Sequence, residues 1–298
     1  MARPSPQTDR VVALVELLSS HPSETFTLAD VTRRLGVNKS TCHSMLTALT
    51  GAGWLLRDPF RKAYRLGPAL VPVGRAAASS LPALDIAHAA MVDVSVAARA
   101  HCAALAVAGE TVTVVDSVRD MRASGGALRV GAQLPLRPPF GTAVVAWSGA
   151  GIVDAWLAQV PDDRRASARA ALDATRARGY AIELSAVPEA RLRAMVEHVA
   201  LADLLDVLSR ELAARDDVLP VDVDPSRSYA VSAVNAPVFD RDGAVTLVLS
   251  LTGFANDLDG DELLRTGRTL KAATEALTDA IKGRRSAIAG RGPTLGPC

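Results

Sequence analysis

The stretch from Val37 to Leu49 limits the folds open to this chain more than any other. Val37, Cys42, Met45, Leu46 and Leu49 recur at the spacing of one helical face. Lys39, Ser40, Thr41, His43, Ser44 and Thr47 fall largely on the opposite face, and Asn38 stands where a side-chain oxygen caps the first turn. A solvated helix face ordinarily carries long Glu and Lys side chains in i,i+4 pairs. This one carries short hydroxyls, an imidazole and a single ammonium, a surface slim enough to approach another molecule closely.

The flanking residues narrow the reading. Val11, Val12, Leu14, Val15, Leu17 and Leu18 predict a first helix over Arg10–Leu18, ended at His21-Pro22-Ser23. Thr27 with Asp30 three residues on is a capping-box variant, opening a second helix that runs to Leu35 and stops at Gly36. After Gly51-Ala52-Gly53, two short strands, Trp54–Arg57 and Ala63–Leu66, flank the turn Asp58-Pro59-Phe60-Arg61-Lys62. Helix, helix, polar-faced helix and basic hairpin in this order make a winged helix-turn-helix, in which the slim helix enters a major groove. Residues 1–75 hold ten Lys and Arg against five Asp and Glu, and residues 76–298 hold 23 against 27. The head is therefore basic and the body mildly acidic, as a polyanion-binding module on a separate body requires. The expected partner is double-stranded promoter DNA, read by Lys39, Ser40, Thr41, His43, Ser44 and Thr47. Arg33, Arg34, Arg61 and Lys62 are expected on phosphates. Without an aromatic run for base stacking, RNA is a poorer partner.

Beyond the hairpin, Leu66–Leu81 reads as a linker, helical after Pro72. The body shows a helix over Leu84–Arg99 and a β-rich pair, Cys102–Val107 and Thr111–Val118, around Gly109-Glu110. A second pair, Tyr229–Phe239 and Ala244–Thr252, flanks Asp240-Arg241-Asp242-Gly243. Helices are expected over 139–159, 164–178 and 259–282. The fold class is α+β in two domains, the body an antiparallel sheet flanked by helices. Three cysteines (Cys42, Cys102, Cys298) are too few for a disulfide framework and suit a reducing cytosol, with Cys102 in the core. The polar start, Met1–Arg10, is no signal peptide. The uncharged run Pro138–Val153 is 16 residues and broken by Pro and Gly, which is too short for a bilayer. A cytoplasmic protein follows, with no membrane partner.

Catalytic and metal patterns are poor. His21, His43, His88, His101 and His198 lack metal-ligand spacing. The run Asp257–Glu262 has its glycine at the wrong place for a calcium loop and reads instead as an acidic helix start. No serine sits in a nucleophile elbow. The chain is expected to be no enzyme and to need no metal or cofactor.

Taken together, Thr27–Val31, Leu35–Thr41, Leu46–Trp54 and Tyr64-Arg65-Leu66-Gly67 resemble the winged helix-turn-helix of the IclR-type transcriptional regulators. The body resembles their effector domain at Leu134-Pro135-Leu136, Gly141-Thr142-Ala143, Gly179-Tyr180-Ala181 and Asn235–Asp240. It departs where the family's loop usually reads Gly-Lys-Ala, and in the 47 residues between Ala181 and Tyr229, where 188–215 reads as an added helix. The resemblance implies a DNA-binding domain over 1–67, a linker helix over 68–81, a GAF-like effector-binding and oligomerisation domain over 82–285 and a flexible tail over 286–298. It implies a homodimer or tetramer, joined through residues 72–80, and a repressor whose operator affinity answers to a small organic or aromatic acid. The alternative is a regulator without an effector, whose body serves oligomerisation alone. The effector residues implied are Gly141, Thr142, Ala143, Glu183, Ala233, Ser250 and Thr252, with the amides of Gly141 and Thr142 as a cradle for a carboxylate. Ser250 and Thr252 share one strand face, which serves equally as a pocket floor or as an ordinary exposed face. Glu183 reads first as a solvated charge, because the segment behind it departs from the family.

Overall fold

The computed structural model describes residues 5–19, 21, 24–81, 83–185 and 218–285. They form two compact units, the chain passing from the first to the second after Leu81. The expected helix over 188–215 and the tail over 286–298 lie outside the described residues.

The head is built from α1 (Pro6–Ser19), β1 (Phe26–Thr27), α2 (Leu28–Leu35), α3 (Lys39–Gly51), β2 (Leu55–Arg57), β3 (Ala63–Leu66) and α4 (Leu70–Ala78). Its helix boundaries follow from local chemistry. The Asp30 amide donates to Thr27 Oγ1 at 3.3 Å and the Thr27 amide donates to Asp30 Oδ2 at 3.1 Å, a reciprocal capping box. Gly36 ends α2 with a φ of 62°, and Asn38 Oδ1 accepts the Thr41 amide at 2.8 Å to open α3. Leu14, Val31, Cys42 and Leu46 are wholly buried together with Phe26, Leu55 and Tyr64, so the apolar face of α3 closes the core of the head. β1, β3 and β2 form an antiparallel sheet in that order, with Phe26 opposite Tyr64 and Leu56 opposite Arg65. The linker helix α4 starts at Leu70, ahead of Pro72. The missing amide hydrogen of Pro72 costs nothing in a first turn, so the expected start after this proline is corrected. No residue of α4 is buried.

The body centres on a six-stranded antiparallel sheet in the order β6-β5-β4-β10-β9-β7. These strands are β4 (His101–Ala108), β5 (Thr111–Val118), β6 (Gln133–Pro135), β7 (Ala181–Leu184), β9 (Val231–Phe239) and β10 (Val245–Thr252). Along β10, Leu247, Leu249 and Leu251 alternate with Val248, Ser250 and Thr252 and face the other way. The leucine side is covered by α5 (Leu84–Ala98) and α9 (Gly260–Ala280). The other side meets α6 (Thr142–Val145), α7 (Ala150–Leu157) and α8 (Arg165–Arg178), with Trp147 and Trp156 in the core there. A small ladder pairs β8 (Ser228–Tyr229) with β11 (Leu258–Asp259).

Gly267 lets α9 lie directly on the Tyr180 ring, where a Cβ would collide with the aromatic carbons. Asp259 caps α9 by accepting the Glu262 amide at 2.7 Å, so the acidic run is a helix start. The helix expected over 139–159 is corrected: α6 and α7 are separate, with Gly149 in an extended conformation as the N-cap of α7. Cys102 is fully buried, and burial with the nearby Asp116 charge pushes its thiol up to about 12, which makes it an inert core residue.

Candidate functional site

Two surfaces carry the chemistry, one in each unit. In the head, Cys42, Met45 and Leu46 hold α3 down, and this leaves Lys39, Ser40, His43, Ser44 and Thr47 exposed with Thr41 half-buried. Ser40 Oγ donates to Asn38 Oδ1 at 2.8 Å and Ser44 Oγ donates to the Ser40 carbonyl at 3.1 Å. Both hydroxyls keep lone pairs for an incoming donor. Lys39 sits in the first turn of α3, the positive end of the helix dipole, where an ammonium is disfavoured unless an anion joins it.

The wing is fixed from within. Asp58 Oδ1 accepts the amides of Phe60 and Arg61 at 2.8 and 3.0 Å, and these two bonds hold its carboxyl below the usual range. Lys62 completes the turn with a φ of 51°. Arg61 and Lys62 are exposed at the tip, and Phe60 is 94% exposed beside them. The two α2 arginines differ. Arg33 is exposed and pairs with Asp30 at 2.8 Å. Arg34 lies 4.9 Å over the Phe26 ring and 3.9 Å from Glu24, so it has packing partners of its own in the head.

In the body, a cavity of about 170 Å³ opens against the Val248, Ser250 and Thr252 face of β10. Leu105, Val112, Leu128, Leu134 and Phe140 make it apolar. Gly141, Ala143 and Val144 close one side, and Glu183, Ala233 and Asn235 another. Gly141 has a φ of 80°, and a Cβ on it would stand 2.6 Å from Leu136 Cδ2, so the loop needs glycine there. Ser250 is 3% exposed and lines the cavity together with Thr252, so that strand face is not an ordinary solvent-exposed one.

Glu183 overturns its expectation as a solvated charge. It is 9% exposed on the edge strand β7, with its carboxyl turned to the cavity. Oε1 accepts from Asn235 Nδ2 at 3.1 Å and from Thr142 Oγ1 at 3.4 Å. Burial pushes its carboxyl up to about 7, against the pull of those two hydrogen bonds. Thr142 is buried behind Glu183 and orients it, outside the cavity lining. The expected amide cradle is a single turn, too short to build up a helix dipole. Asn235 was missed by the sequence reading. A lone amide within the apolar run Val231–Phe239 must find a partner when buried, and that rule is the signal for it.

Known proteins share both parts. The family model for the IclR helix-turn-helix domain matches residues 7–59. The crystal structure of an IclR transcriptional regulator from Alicyclobacillus acidocaldarius superposes with a TM-score of 0.65 at 21% identity, covering 94% of this chain and all of that one. The head therefore carries an IclR-type helix-turn-helix domain, and the chain as a whole has the fold of the IclR-type regulators. The HTH-type transcriptional regulator XynR of Escherichia coli is 22% identical over 276 residues, 92% of this chain and 96% of XynR. An IclR homolog from Microbacterium hydrocarbonoxydans, crystallised in complex with 4-hydroxybenzoate, shares the fold at a TM-score of 0.63 and 17% identity, covering 93% of this chain and 99% of that one. Among the described residues, no helix is long and apolar enough to cross a membrane.

Proposed function

We propose that this regulator is a cytoplasmic repressor that reads operator DNA with α3 and is switched by a small molecule held in the body's cavity. The carrying observation is the exposed, slender polar face of α3 in the same unit as a wing tipped by Arg61 and Lys62. Lys39, Ser40, Thr41, His43, Ser44 and Thr47 face the bases and nearby backbone, and Arg33, Arg61 and Lys62 anchor phosphates. Arg34 positions Phe26 and contributes general positive potential. A protein seated over a promoter excludes polymerase, which gives the repressor its sense.

The cavity supports the effector reading through its concave, largely apolar wall and its few convergent polar groups. The Microbacterium homolog's 4-hydroxybenzoate complex lends further support, since a protein of the same fold takes up a single-ring compound. Homodimerisation through α4 is supported by the helix itself. Its nine residues have no buried member, Val71 is 54% exposed and Val73 48%, and so short a helix is marginal without packing. A dimer then sets two heads on half-sites one helical turn, or a multiple of it, apart.

Footprinting of the full-length protein on the DNA upstream of its own gene tests this function. Paired protected sites that weaken on adding a cavity ligand are expected. A chain lacking residues 1–81 that still protects the same DNA would refute it.

A further inference from the structure

Resting on the reading of the cavity as the effector site, we propose that it binds an uncharged single-ring molecule through a hydroxyl donated to Glu183 Oε2, and that it discriminates against free carboxylates. Size comes first. A cavity of about 170 Å³ is close to the ~150 Å³ that holds one benzene ring when apolar. Leu105, Val112, Leu134, Phe140 and Val248 supply the apolar contact for such a ring.

Charge decides the polar end. Among the described residues that line the cavity Glu183 is the sole ionisable one, with no Lys, Arg or His beside it to pair with an anion. Thr142 of α6 and Asn235 of β9 are the groups that act on its carboxyl, and both are neutral. A buried carboxylate with no cation and a carboxyl group as its neighbour is heavily penalised. An ammonium pairs with Glu183 only once that carboxyl has ionised within a mostly apolar wall, and it must desolvate three donors to do so. Both hydrogen bonds to Glu183 end on Oε1, and Oε2 has no hydrogen-bond partner among the described residues. A hydroxyl donor meets that need without bringing a charge, and Ser250 and Asn235 border the same space.

The test is titration calorimetry of the full-length protein with 4-methylphenol, benzoate and benzylamine at pH 6 and pH 8, with DNA affinity measured in parallel. We expect 4-methylphenol to bind with less than a twofold change between the two pH values. Benzoate should bind at least about tenfold more weakly at pH 8, and recover part of that at pH 6, where a protonated Glu183 can donate to it. Glu183→Gln puts an amide NH2 group where Oε2 accepts, so it should weaken 4-methylphenol at least about fivefold and flatten the benzoate difference between pH 6 and 8. Ala233→Leu, which fills the cavity, should abolish binding of all three. Benzoate or benzylamine binding as tightly as 4-methylphenol at pH 8 overturns the ligand class. If 4-methylphenol binds and DNA affinity does not move, the ligand class stands and the effector function fails. If benzoate binds better and releases DNA, the effector function stands and the ligand class fails. Binding by none of the three overturns both.

Discussion

Replacing Glu183 with Gln should stabilise the body, by an amount that grows with pH. Glutamine keeps the carbonyl oxygen that accepts from Thr142 and Asn235 while removing the ionisation. In the folded protein the Glu183 carboxyl is raised from its ordinary 4.5 to about 7. Below pH 4.5 the group is protonated in both folded and unfolded chains, and its contribution to stability is fully present. As pH rises from there through about 7, the unfolded chain ionises first and wild-type stability falls by about 1.4 kcal/mol per pH unit. Above pH 7 the loss levels off at about 3 kcal/mol. Glu183→Gln escapes it, so variant and wild type should coincide near pH 4.5 and separate by about 3 kcal/mol at pH 8. For a domain of this size that is roughly 6–12 °C in melting temperature. Trp147 and Trp156, buried in the body, report its transition by fluorescence. A stability difference that stays flat between pH 5 and 8 would refute the reasoning. It would mean that water or an unforeseen cation solvates the carboxylate.

Lys62→Ala should weaken binding to all duplex sequences alike and reduce the salt slope by about one, whereas Ser44→Ala should relax base preference at one position and leave the slope unchanged; a fluorescence-anisotropy salt titration separates them. Thr27→Ala removes the oxygen that caps α2 and should cost the head about 1 kcal/mol in urea denaturation, with Thr27→Ser restoring most of it. Gly267→Ala drives a methyl into the Tyr180 ring and should cost the body on the order of 1–3 kcal/mol, read as a lower melting temperature with the head's DNA affinity intact. A wild-type-like melting temperature for that variant would mean that α9 slides freely on Tyr180.

The head was almost wholly legible because local rules determine it. Thr27 with Asp30, Gly36 and Asn38 each mark a helix boundary by chemistry confined to one turn. The body yielded less, since its decisive features are long-range. β6 and β7 are short edge strands, and the alternation of three or four residues is too brief to distinguish from loop. Glu183 reads as solvated because nothing near it in sequence shows that Asn235, 52 residues on, donates to it from the neighbouring β9. The apolar residues of 139–159 run on either side of Gly149-Ala150-Gly151, and Gly149 sets the boundary between the two helices by taking an extended conformation. The glycine and serine residues that mark the cavity loop and floor were readable from the family resemblance, while the apolar wall formed by Leu105, Val112 and Phe140 needed the sheet order.

The turn at Asp58 has a consequence for how the wing meets a polyanion. An acid at the root of a basic hairpin ought to repel phosphates, yet this carboxylate already faces the amides of Phe60 and Arg61. Its negative charge is directed inward and serves as the frame on which the two cations are displayed. Removing it should therefore bring no gain in attraction: the hairpin would exchange one unit of repulsion for a tip that no longer holds Arg61 and Lys62 in register.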